Sequence, residues 1–233
     1  MDIDKRIEDA VRHTEILRAP KQSLYTFGTT SIYYYLVTEP AYSELIQNIT
    51  ETVVREGRVI AERPKIVTPY YLSRLEGFSP EARRYFEALA EELGASARGL
   101  FYTYKNEPKE LNIVSDNLLS VVDKLNAEID KRSDPLAAII RGEDALWDVS
   151  LMKFIFEITR SSVPDNLRQL GRRGLLDIDA GGTPVDARIR IDELFDKVAK
   201  GECEPGELRD ELERWGLFEE YEDRFFAIFK KRR

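Results

Sequence analysis

Cysteine and histidine are almost missing from this chain: Cys203 and His13 are the only ones among 233 residues. A single cysteine excludes an intramolecular disulfide and any metal site built from several thiolates. It sits between two acids in GECEPG, surroundings that raise a thiol pKa rather than activate it. A single histidine cannot supply a multi-histidine zinc site. A Ser-His-Asp triad would have to use His13, and no nucleophile-elbow sequence accompanies it. Neither a G-x-x-x-x-G-K-[ST] phosphate loop nor a G-x-G-x-x-G turn occurs, and DAGGTP lacks the lysine. No apolar run approaches membrane-spanning length, and the opening MDIDKRIEDAV lacks the basic and apolar regions of a signal peptide. The expectation is a cytoplasmic, soluble protein with no membrane contact, no cofactor and no metal.

What is present is globular in composition, with 42% hydrophobic and 33% charged residues. The net charge of -8 disfavours a nucleic-acid coat. Much of it is local: residues 192–223 hold thirteen acids against four cations, a net -9. The rest of the chain is near neutral, which leaves room for a basic patch.

Hydrophobic spacing and punctuation predict the elements. Ile3, Ile7, Val11 and Leu17 suit a first helix ended by Pro20. Ser31 to Val37 is β-branched and aromatic, a strand closed by Pro40. AYSELIQNI suits a short helix. TETVVREGRVIAERPKIV suits a hairpin turning at Glu56-Gly57. A helix with Ser79 as N-cap and Pro80 at its first position runs to Gly94. Leu100 to Lys105 and Leu111 to Ser115 suit two strands around a loop holding Pro108. Asp116 then caps a helix with Leu119, Val122, Leu125 and Ile129 on its apolar face. From Pro135 onward every segment reads as helix. The expected fold is α+β: a mainly antiparallel sheet of about five strands with packed helices over 1–132, and an all-helical domain over 133–233.

The stretch RSSVPDNLRQLGRRGLLDID offers one functional lead. Val163, Leu167, Leu170, Arg173, Gly174, Leu175 and Leu176 have the spacing of a helix that ends in a basic residue, glycine and two apolars. On those residues it resembles the reading helix of winged helix-turn-helix regulators. That resemblance implies that Asn166, Arg168, Gln169, Arg172 and Arg173 face DNA, where Arg, Asn and Gln can make bidentate contacts to bases. A wing would have to follow in residues 184–200. The same residues make a helix with Thr183 as N-cap, Pro184 first and Gly201 as stop, and this is the preferred reading.

Other leads are surfaces. Tyr33 and Tyr35 lie on one face of their strand and Tyr34 on the other, so both faces are covered or one presents aromatics to a ligand or partner. Glu39 and Glu107 each precede a proline at an expected strand end, where they would converge on one rim of the sheet. Phe225 and Phe229 belong to a C-terminal helical stripe that either docks on the bundle or meets a partner. The function these features favour is non-catalytic: an intracellular regulatory or adaptor protein working through protein contacts, with a protein partner or a homo-oligomer, and a ligand site on the sheet. DNA reading through the 163–174 helix is the alternative, and a carboxylate-based enzyme the third.

Overall fold

The computed structural model describes residues 3–42, 50–74, 84, 91–92 and 98–230. The fold is α+β, with a five-stranded mixed sheet. The chain forms two compact units and passes between them three times: residues 1–63 and 102–166 make the first, 64–101 and 167–233 the second. The expected division after 132 falls at the turn between a helix and a strand of the first unit. The expected helices over 41–49 and 79–94 lie outside the described residues, apart from isolated positions.

The first unit opens with helix α1 (Ile3–His13). It stops before Leu17, which belongs instead to strand β1 (Glu15–Arg18). Strand β2 (Thr30–Thr38) is the expected aromatic strand. Strand β3 (Thr52–Ala61) replaces the expected hairpin: its ten residues run straight through Glu56-Gly57 and pair antiparallel with β2 from Thr30↔Ala61 to Thr38↔Val53. Gly57 is therefore a packing glycine, not a turn glycine. The Tyr34 ring crosses over it so that its hydroxyl can donate to Asn106 at 3.0 Å. A β-carbon at position 57 would lie 2.3 Å from that hydroxyl oxygen, which no side chain can tolerate.

Strand β6 (Tyr104–Val114) forms the edge next to β3, where two strands around a loop were expected. Pro108 sits inside it opposite Gly57, at a bulge that leaves Lys109 unpaired between Gly57↔Pro108 and Glu56↔Glu110. An edge strand tolerates a proline at a bulge, and both features blunt the edge against pairing with another chain. Helix α3 (Leu118–Arg132) follows, capped by Asn117 rather than Asp116. It buries Leu118, Val121, Val122, Leu125 and Ile129, and Leu119 faces solvent.

Strand β7 (Ala137–Arg141) corrects the all-helical reading of the chain beyond 133. It lies parallel to β2 and antiparallel to β1, giving the order β1-β7-β2-β3-β6. A central strand covered on both faces reads as an unbroken apolar run, so Ala137-Ala138-Ile139-Ile140 carries no alternation to betray it. After a short 3₁₀ turn (Asp144–Leu146), helix α4 (Trp147–Arg172) runs 26 residues and continues through Pro164.

Two helices sandwich this sheet. Ile32, Tyr34, Leu36, Val59, Ala138 and Ile140 meet Leu151, Phe154, Ile155 and Ile158 of α4 on one face. Tyr35, Val37, Val54 and Ile139 meet α3 on the other.

The second unit pairs β4 (Lys65–Val67) with β5 (Gly99–Phe101) and adds helices α2 (Pro69–Ser73), α5 (Val185–Lys200), α6 (Pro205–Trp215) and α7 (Phe218–Lys230). Helix α5 occupies the stretch where a wing would have been and ends, as expected, at Gly201. Pro184 takes its N-cap position in place of Thr183. The preceding loop is organised by Asp179, whose Oδ1 accepts from the backbone N–H of Gly181 and Thr183, both at 2.9 Å. Phe225 is part of this unit's core with Phe195, Leu208, Leu212 and Trp215. Glu211 is buried there as well: it accepts from the Tyr71 hydroxyl at 3.0 Å and the Trp215 indole at 3.2 Å. Burial, reinforced by Glu211, pushes the Tyr71 hydroxyl up to about 12.

Candidate functional site

The α3 side of the sheet carries two adjacent rows of registered side chains. One runs Ala137, Tyr33, Arg58, Glu107 and the other Ile139, Tyr35, Glu56, Glu110. Near the C-terminal end of α3 the rows sink into a cavity of about 280 Å³. Its lining includes Tyr33, Tyr35, Glu56, Lys109, Arg132 and Asp134. The sheet supplies the floor because strand alternation points Tyr33, Tyr35 and Glu56 the same way across paired strands.

Glu56 is the unusual member. It is half-buried, and its carboxylate makes no hydrogen bond or ion pair among the described residues. Burial pushes its pKa above the usual carboxylate range, and Glu110 and Glu128 push it further in the same direction. The two neighbouring cations, Arg132 and Lys109, act against this rise only from a distance, because each is engaged elsewhere. Arg132 pairs with Glu128 and donates to the Tyr35 hydroxyl at 3.4 Å, while the Lys109 ammonium rests over the Tyr33 ring, 4.8 Å from its centre. Burial raises the Tyr35 hydroxyl, and the Glu56 charge adds to this. A carboxylate without an ion pair beside two tyrosines in a cavity can offer an occupant both a charge and aromatic surface.

Of the residues singled out from sequence, Tyr33 and Tyr35 come together in this cavity. Glu107 lies next to it, level with Tyr33, but is fully engaged: Lys105 and Arg58 hold its carboxyl down at about 2. Glu39 does not join it. It lies six residues beyond Tyr33, just past the end of β2 and about 20 Å away at strand rise, and approaches Arg141 at 3.6 Å. That end of the sheet has its own open depression, lined by Glu39, His13, Glu15, Arg141 and Glu143. His13 Nδ1 is 2.9 Å from Glu143 there, on the surface.

Glu56 was missed because a turn was read at Glu56-Gly57, Lys109 because its place depends on the β6 bulge, and Arg132 because it comes from a helix distant in sequence. With that glycine understood as the rest for Tyr34, Glu56 falls in phase with Tyr35.

The helix that resembled a DNA reader departs from that pattern in three ways. Residues 147–172 are one helix, with no turn between a supporting and a reading segment. No wing follows, since 185–200 are helical. Asn166, expected on the exposed face, has 0% exposure: its amide donates to the Leu24 carbonyl and the Thr26 hydroxyl at 2.8 Å each and accepts from the Tyr102 hydroxyl at 2.7 Å. Arg168, Gln169, Arg172 and Arg173 are exposed. Phe225 is likewise core rather than surface, and Phe229 and Phe226 remain exposed at the end of α7.

Among the described residues no group of three or more metal-ligating side chains forms, and no helix is long and apolar enough to cross a membrane. Burial, with Glu207 adding to it, raises the Cys203 thiol pKa, the direction its flanking acids implied. No family model, curated protein or solved structure matches this chain.

Proposed function

We propose that this chain is an intracellular, non-catalytic regulatory protein that binds a small ligand on its sheet and acts through protein contacts. The observation that carries the reading is the cavity beside α3, where the Glu56 carboxylate, without an ion pair among the described residues, lies across the strand pair from Tyr35 and shares the lining with Tyr33. Its walls come from four strands and a helix, so an occupant would brace elements that are otherwise separate in sequence. The exposed Phe226 and Phe229 on α7, and Met152 and Phe156 on α4, supply apolar surface for protein contacts. DNA reading has less support, because its adenine-type contact, Asn166, is committed to packing.

Thermal unfolding against a panel of small organic cations, anions and neutral polyols tests the ligand site. A ligand that binds only the folded protein raises the midpoint. At least one class should do so for the parent chain, and the shift should vanish in Tyr33→Ala, whose side chain is half-buried and lines the cavity. A panel without any shift, or with shifts indifferent to Tyr33→Ala, would remove the ligand site from the proposal.

A further inference from the structure

The geometry points to a small alkylammonium as the ligand class of this cavity, held by Glu56 of its lining with the Tyr33 ring beneath its cationic head, while the exposed Glu110, registered opposite Glu56 on β6, adds its charge from outside the lining. The inference rests on the cavity being a ligand site, and three observations carry it further.

The first is the pairing of Glu56 with Glu110. They are directly registered on β3 and β6, on one face, beside a bulge. Like charges opposite one another across strands destabilise a sheet, and among the described residues no cation forms an ion pair with Glu56, so Arg132 and Lys109 offset them only from a distance. An ammonium placed between the two carboxylates removes that cost, and an anion adds to it.

The second is that Tyr33 already holds an ammonium. Lys109 Nζ lies 4.8 Å from the ring centre, within the range at which an aromatic face attracts a cation. Lys109 is the unpaired residue of the bulge, so its side chain can leave the ring without breaking a strand pair. It stands as a tethered competitor for the position that a free alkylammonium would take.

The third concerns Arg132. It is the other nearby cation, and it is held by Glu128. It donates to the Tyr35 hydroxyl and makes no ion pair with Glu56, whose charge it favours only from a distance. A divalent metal ion fits this setting less well, since magnesium and calcium require six or more oxygen ligands and half of this lining is aromatic or cationic.

Calorimetric titration of the full chain at neutral pH with 1,4-diaminobutane is the test. The neutral 1,4-butanediol, the anion glutarate and magnesium chloride serve as parallel probes. The diamine should bind saturably. Glu56→Gln should weaken it by about tenfold or more, the size of effect expected for losing a hydrogen bond between charged partners. Lys109→Met should tighten binding, because the competitor is gone. Glu56→Gln keeps the size of the side chain and relieves the like-charge contact, so the free variant should melt no lower than the parent. Weaker binding by an undamaged fold is then unambiguous.

Absence of diamine binding, or binding indifferent to Glu56→Gln, or weakened by Lys109→Met, overturns the inference. Glutarate or the diol binding with dependence on Tyr33 overturns the ammonium class and leaves the ligand site standing. Magnesium displacing the diamine from Glu56 would assign the carboxylates to a metal and also overturn it. A panel with no shift dependent on Tyr33 removes the ligand site itself.

Discussion

Asp186→Ala is expected to destabilise the protein by about 3–5 kcal/mol, the range for breaking a buried ion pair by removing one partner. Asp186 lies in the first turn of α5 with its side chain fully buried, and its Oδ2 is 2.7 Å from Nε of Arg190. Arg190 is itself mostly buried and also donates to the Pro64 carbonyl. Removal of the carboxylate leaves a guanidinium that is neither solvated nor neutralised. Urea unfolding measures the loss as a fall in midpoint at constant slope. Replacing both partners, Asp186→Leu with Arg190→Met, should recover much of it, because a well-packed apolar pair often equals a buried ion pair. A single variant with the parent's midpoint would mean that Asp186 is solvated.

Asn166→Leu is expected to be the second large loss. Two buried groups, the Leu24 carbonyl and the Thr26 hydroxyl, and the half-buried Tyr102 hydroxyl depend on this amide. Each polar group left unpaired costs about 1–3 kcal/mol. Leucine keeps the branched four-atom skeleton of asparagine and leaves no void, so the loss reports the missing hydrogen bonds together with the crowding of its bulkier methyl groups. The neighbouring Gln169→Ala, on the exposed face, should stay within about 0.5 kcal/mol of the parent. The contrast also separates packing from DNA reading: a helix face that reads bases would tolerate Asn166→Leu in the free protein. A midpoint unchanged by Asn166→Leu would place the amide at the surface and restore that reading.

The elements legible in the sequence were those with their own punctuation. Strand β2 ended at Pro40, α6 was bracketed by Pro205 and Gly216, and α5 stopped at Gly201. The elements misread share another property: their residues answer to distant partners. Gly57 looks like a turn until Tyr34 is laid across it from the neighbouring strand. Ala137 to Arg141 lacks the alternation of a strand because β7 is covered on both faces.

The site was half legible for the same reason. Tyr33 and Tyr35 follow from alternation within one strand. Glu56 required the correct pairing of β3, and Lys109 required the bulge opposite Gly57. Arg132 comes from a helix that is distant in sequence from both strands. Glu39 and Glu107 were linked only by a shared Glu-Pro pattern, and strand register separates them.

The central claim is that Glu56 is an unpaired, half-buried carboxylate facing another across the strand pair. Its side-chain titration, followed by ¹³C NMR, is the most direct measurement. Burial and the Glu110 charge raise its pKa in the folded state. The folded protein then holds this proton to higher pH than the unfolded chain, so the group withdraws stability as pH rises through the raised value. The account predicts a midpoint above that of an ordinary glutamate, lowered towards it in Glu110→Gln. A midpoint at or below the ordinary value, unmoved by Glu110→Gln, would mean that Glu56 already has its counter-ion, and would contradict the account.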